Sequence, residues 1–133
     1  IKKLNKNVLL VDDEEGIREL LQDMLNEFGM NVTTAENGQE ALDKFKLSPE
    51  SFDLIISDMK MPIMDGPTFL QEIRQLKHLR QPKFIFITGG INIDFSKISN
   101  NSNIYIDGYF YKPFNETEIY SLLTKIFKIE PDS

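Results

Sequence analysis

The sequence predicts a doubly wound α/β fold: a five-stranded parallel sheet in the order 2-1-3-4-5, with helices on both faces. Three observations predict it. Short apolar runs recur without polar interruption, as in strands covered on both sides. Between them the apolar spacing changes to the period of a helix. This alternation repeats through a chain of 133 residues, a length that suits one domain with a sizeable core. Right-handed crossovers then make 2-1-3-4-5 the natural order. The expected domain is a single one over residues 1–133, with its core at about 7–127.

The expected strands are residues 7–11, 31–35, 53–57, 83–87 and 104–111. Ile17, Leu20, Leu21, Met24, Leu25 and Phe28 repeat at helical spacing, and Gly29 can end that helix. Ala41, Leu42 and Phe45 follow Asn37, and Phe69, Leu70, Ile73 and Leu76 follow Asp65, both suited to capping. The last helix has the fullest start signal. Asn115 and Glu118 form a capping-box pair, with Phe114 and Ile119 as a hydrophobic staple. Its apolar stripe is Ile119, Leu122, Leu123 and Ile126. One stretch resists the pattern: residues 92–103, "NIDFSKISNNSN", stand where a helix between strands four and five belongs. Asparagine and serine are poor helix formers, so that helix is expected to be short or irregular.

Composition narrows the function. The net charge of −6 argues against direct nucleic-acid binding. No apolar run approaches the roughly 20 residues of a membrane helix, and the N-terminal "IKKLNKNVLLVDD" is no secretory signal. The absence of cysteine excludes disulfides and thiolate metal sites, and is consistent with a cytoplasmic location. A basic group, Arg74, Lys77, His78, Arg80 and Lys83, reads as a solvated helix end favoured by the helix dipole. His78, the sole histidine, is expected to face solvent.

Ligands of an open parallel sheet bind outside the carboxyl ends of the strands, where the strand order reverses. In this order that point lies between strand one, ending in Asp12 and Asp13, and strand three, ending in Asp58. Converging carboxylates repel: two charges about 4 Å apart cost roughly 4 kcal/mol at an effective dielectric of 20. Such a site calls for a cation, and an all-oxygen ligand set suits Mg²⁺. Asp12 and Asp13 also admit a simpler reading as acids at a helix start, since Glu14 and Glu15 follow. Strand four ends at Thr88, followed by Gly89 and Gly90, which permit close backbone approach. Strand five ends at Lys112-Pro113. A metal, a hydroxyl, an ammonium and a separate carboxylate are the parts that stabilise a phosphoryl group in transfer. The carboxylate can itself be the nucleophile.

Four segments, "LLVDDEEGIREL", "DLIISDMKMPIMDG", "FIFITGG" and "GYFYKPF", stand in order at expected strand ends over residues 7–127. In these the chain resembles the receiver domain of bacterial two-component response regulators, with its flavodoxin-like (βα)5 fold. The resemblance implies that Asp58 is the phosphoacceptor. It implies that Asp13, Asp58 and the backbone carbonyl of Lys60 bind Mg²⁺, with Asp12 acting through water. Lys112 would pair with the phosphoryl oxygens, next to a cis Lys112-Pro113 bond, and Thr88 and Gly89 would bind the phosphoryl group. Thr88 would move toward it and Tyr109 would swing inward after Thr88. That shift would alter the surface of the helix between strands four and five, the fifth strand and the last helix.

The implied partners are a histidine kinase or histidine phosphotransfer protein, and a downstream target or attached output domain. No membrane partner is implied, and no output segment is recognised after Ile129. A stand-alone regulator, an excised receiver and the receiver of a hybrid kinase are equally compatible. Two features depart from the family pattern. Lys60 puts a second cation beside the acceptor, and Lys60 and Gly90 are expected to modulate the lifetime of the phosphorylated form. Tyr105 and Ile106 stand where the family commonly has Gly-Ala. Two other classes compete: an interaction module that works without phosphate, and a Mg²⁺-dependent phosphohydrolase. The second usually carries another acid where this chain has Lys60.

Overall fold

A computed structural model describes residues 2–76, 79–89 and 104–130. Five parallel strands form one sheet: β1 (Asn7–Val11), β2 (Asn31–Ala35), β3 (Leu54–Asp58), β4 (Lys83–Thr88) and β5 (Gly108–Tyr111). Their order is β2-β1-β3-β4-β5, as expected. The helices among the described residues are α1 (Glu15–Glu27), α2 (Gly38–Leu47), α3 (Gly66–Gln75) and α4 (Glu116–Phe127), with a 3₁₀ turn at Pro49–Ser51. The segment expected to hold a short or irregular helix, with Gly90 at its edge, lies outside the described residues. So does His78.

Successive strand residues face opposite sides, and this divides the core in two. Val8, Leu10, Leu54, Ile56, Ile85 and Ile87 pack against Leu21 and Leu25 of α1 and Ile119 and Leu123 of α4. Leu9, Val11, Ile55, Phe84 and Phe86 pack against Ala41 and Phe45 of α2 and Phe69 and Ile73 of α3. β3 is buried along its full length, so its last residue, Asp58, is carried into the interior with it.

The helix starts follow local chemistry. The side chains of Asn37, Asp65 and Asn115 each accept the backbone N–H three residues on, from Glu40, Thr68 and Glu118. Phe114 and Ile119 join one apolar cluster, as a staple requires. α1 stops at Gly29, whose φ is +80°. Among the described residues no helix is long and apolar enough to cross a membrane.

Two expectations need correction. Strand five starts at Gly108 rather than at residue 104. The carbonyl of Tyr105 is taken by Arg74, whose Nε and a terminal NH₂ donate to it at 3.1 and 3.0 Å. At Asp107 it is the side chain that accepts the Phe84 N–H, at 2.8 Å. The ladder therefore begins one residue later. Arg74 itself is not a solvated helix end: it is 3% exposed. It also donates to the Gln81 side chain and the Pro82 carbonyl, and lies 3.5 Å from Asp107 Oδ2. The rings of Tyr105 and Phe84 flank its guanidinium at 3.9 and 5.8 Å.

Candidate functional site

The crevice forms where β1, β3, β4 and β5 end together. Parallel pairing sets Val11 beside Ser57, Asp58 beside Ile87 and Thr88 beside Tyr111. The residues just past those rungs therefore share one rim. The backbone N–H of Lys112 donates to the Thr88 carbonyl at 2.7 Å, fixing the lysine's base on the end of β4. The Lys112-Pro113 bond is cis. A cleft of about 340 Å³ opens here, lined by Asp13, Glu14, Asp58, Lys60, Thr88, Gly89 and Lys112. A larger cleft of about 460 Å³ lies at the other end of the sheet, near Asn7 and Asn31, and no carboxylate lines it.

Asp12 and Asp58 are buried. Asp12 Oδ1 accepts the N–H of Glu14 at 2.9 Å, and Asp58 Oδ1 accepts the N–H of Met59 at 2.8 Å. Each acid keeps its second oxygen toward Lys112, whose Nζ lies 3.6 Å from Asp12 Oδ2 and 3.5 Å from Asp58 Oδ2. Among the described residues Asp12 Oδ2 has no hydrogen-bond partner. Burial raises the pKa of Asp12 to about 6, against the pull of the Glu14 N–H and with a further push from Asp58. Burial raises that of Asp58 as well, while Lys112 opposes it. For Lys112 burial works downward, but Asp12, Asp58 and Glu14 together carry the ammonium above its ordinary value.

Oxygens of Asp12, Glu14 and Asp58 lie within 4.8 Å of one another. Glu14 thus joins the acids that the sequence suggests, and both it and Asp13 are exposed and line the cleft. A buried carboxylate oxygen without a hydrogen bond, in a set of oxygen donors alone, fits a hard divalent cation. The Met59 N–H on Asp58 and the Glu14 carboxylate were not foreseen as site groups. Their only sequence signal is adjacency to Asp58 and to the Asp12-Asp13 pair.

Gly66 packs against the end of β3. Its N–H donates to the Met59 carbonyl at 2.9 Å. A Cβ there would collide with the Asp58 carbonyl oxygen and come within 2.8 Å of the Phe86 ring. Only glycine allows α3 to start so close to the end of β3. Thr88 is buried at the floor of the cleft, whereas Tyr109 is 45% exposed and stands edge-on to Tyr111 at 5.6 Å.

The family profile of the response regulator receiver domain matches residues 8–124. The chain belongs to the response regulator receiver domain family. It is a module of phosphorelay signalling. This receiver is 36% identical to the alkaline phosphatase synthesis transcriptional regulatory protein PhoP of Bacillus subtilis, over 94% of the chain and 50% of that protein. It is 32% identical to sporulation initiation phosphotransferase F of the same organism, over 96% of the chain and 98% of that protein. Among solved structures, response regulator TrrA from Thermotoga maritima in complex with Mg²⁺ and beryllofluoride superposes with a TM-score of 0.76. It is 37% identical, covering 91% of this chain and 98% of that one. The receiver spans about half the length of the transcriptional regulators it matches.

Proposed function

We propose that the receiver accepts a phosphoryl group onto Asp58 from a phosphohistidine of a sensor kinase or phosphotransfer protein. The observation that carries this reading is the buried Asp58 carboxylate facing the Lys112 ammonium at 3.5 Å across an open cleft. An Asp58 oxygen forms the new O–P bond as the P–N bond of the donor breaks, and the imidazole leaves with its electron pair. Met59 N–H and Lys112 orient the nucleophile, and Lys112 then pairs with the phosphoryl oxygens. Thr88 and Gly89 line the cleft in which those oxygens would arrive. Asp12, Asp13, Asp58 and the Lys60 carbonyl are the groups that would hold Mg²⁺. When bound, Mg²⁺ supplies charge neutralisation for the transferred group.

The same site lets water remove the group, so the receiver catalyses its own phosphorylation and dephosphorylation and turns over no metabolite. Lys60 and Gly90 set the lifetime in this reading, and Thr88 and Tyr109 form the switch. The exposed ring of Tyr109 supports an outward resting position from which it moves inward. The chain is read as one receiver domain over residues 1–133, working in the cytoplasm with its donor and with a downstream target or attached output domain.

Acetyl phosphate with and without Mg²⁺, followed by intact mass spectrometry, tests the reading. The expected result is a Mg²⁺-dependent gain of one phosphoryl group that Asp58→Asn abolishes. A wild-type protein that stays unmodified with acetyl phosphate and with phosphohistidine donors would favour a module that signals without phosphate.

A further inference from the structure

Glu14 immediately precedes α1, yet its side chain makes no capping hydrogen bond. Its carboxylate turns instead toward Lys112, with Oε1 3.7 Å from Nζ. Among the described residues Lys112 therefore has three anionic neighbours at nearly equal range: Asp58 at 3.5 Å, Asp12 at 3.6 Å and Glu14 at 3.7 Å. All are longer than the about 2.7–2.9 Å of a strong charge-assisted hydrogen bond. The ammonium is shared among them rather than committed to one. Two of the three are inner walls of the crevice, whereas the Glu14 side chain is 62% exposed and stands at its mouth. Its position is not accidental to the loop, because the N–H of the same residue is held by Asp12 Oδ1 at 2.9 Å. The buried acid thus sets where the outer one sits.

We infer that Glu14 is a positioning residue for Lys112: it draws the ammonium toward the mouth of the cleft and opposes its pairing with a phosphoryl group on Asp58. The inference rests on the phosphoryl-acceptor reading of the site. Lys112 has to exchange carboxylate neighbours for phosphoryl oxygens when Asp58 is modified, and the attraction of Glu14 is lost in that exchange. Glu14 therefore weakens the phosphorylated state through the lysine, beyond any repulsion it exerts on an arriving anion.

Beryllofluoride, a phosphoryl mimic, provides a test by equilibrium binding at saturating Mg²⁺. One unit charge removed at about 4 Å in a water-like medium corresponds to about fivefold. Glu14→Gln is expected to tighten beryllofluoride binding by about that factor. Glu14→Asp keeps the charge but withdraws the carboxylate by one bond, about 1.5 Å. By the same reckoning it is expected to tighten binding by less than about twofold, whereas Glu15→Gln, one residue on and exposed, keeps wild-type affinity. In the metal-free protein the Lys112 Nζ resonance should shift in Glu14→Gln and stay in place in Glu15→Gln. Unchanged binding in Glu14→Gln, or equal shifts in Glu14→Gln and Glu15→Gln, would each overturn the inference alone. A wild-type protein that binds no beryllofluoride with Mg²⁺ would overturn the acceptor reading and this inference together.

Discussion

Lys112 Nζ stands 3.5 Å from Asp58 Oδ2, the space in which a phosphoryl group would have to be built. In the proposed function the ammonium is the partner of the transferred group, and by its position it competes with any cation seated on the same acids. Lys112→Met is expected to tighten Mg²⁺ binding, since the competitor is gone. It is also expected to slow phosphoryl uptake by about a hundredfold to a thousandfold, the scale on which a positioned charge donor acts. Titration with Mg²⁺ and timed mass spectrometry measure the two effects. Weaker Mg²⁺ binding in the variant would contradict the competition.

Burial of Asp12 gives the metal-free protein an unusual pH dependence. Its pKa rises from 3.8 to about 6 on folding, so between those values the folded chain holds the proton more tightly than the unfolded one. Stability must then fall as pH rises through this window, by about 3 kcal/mol for Asp12 fully ionised. Asp58 is shifted in the same direction. The melting temperature without metal should increase as pH drops from 7 to 5. Mg²⁺ should remove the slope and Asp12→Asn should flatten it. A melting temperature that falls steadily over that range would refute the assignment.

Arg74 is expected to be a main support of the β4–β5 end of the sheet. Removing it leaves the Pro82 and Tyr105 carbonyls without this donor and takes a cation from Asp107, which keeps the Phe84 N–H and a distant Lys83. Arg74→Ala should cost about 3–5 kcal/mol, as for other buried charges that lose a partner. Arg74→Lys should recover little, because an ammonium cannot reproduce the planar fork or lie flat on the Tyr105 ring. Urea unfolding of both variants gives the answer. A loss below about 1 kcal/mol in Arg74→Ala would show that water replaces the guanidinium.

Lys60 is exposed and lines the cleft with Asp58, the proposed acceptor. An ammonium there attracts the attacking water's lone pairs and the phosphoryl oxygens alike. Lys60→Ala is expected to change the rate of autodephosphorylation, followed as loss of the phosphorylated mass. Equal half-lives in the two proteins would remove Lys60 from the site.

Much of this architecture was legible because its signals are local. The continuous apolar runs of β1, β3 and β4 and the caps at Asn37, Asp65 and Asn115 are each decided within a few residues. The meeting of Asp12, Asp58, Thr88 and Lys112 followed from strand order alone. What escaped depends on distant groups. Arg74 reads in sequence like any cation at the end of a helix. Its burial is decided by Tyr105 and Asp107, some thirty positions on. The late start of β5 has the same cause. Glu14 was hidden because an acid before a helix already has a sufficient explanation in the dipole, and only its distance to Lys112 sets it apart.

The contact of Gly66 with the end of β3 bears on attempts to move this chemistry elsewhere. An aspartate grafted onto the end of a foreign parallel strand would reproduce the acid without the frame that aims it. The smallest transferable unit is β3 together with the first turn of α3, joined through Gly66 N–H to Met59 O. A scaffold whose next helix begins with any larger residue would push that turn outward, and the transplanted carboxylate would lose its aim before any partner reached it.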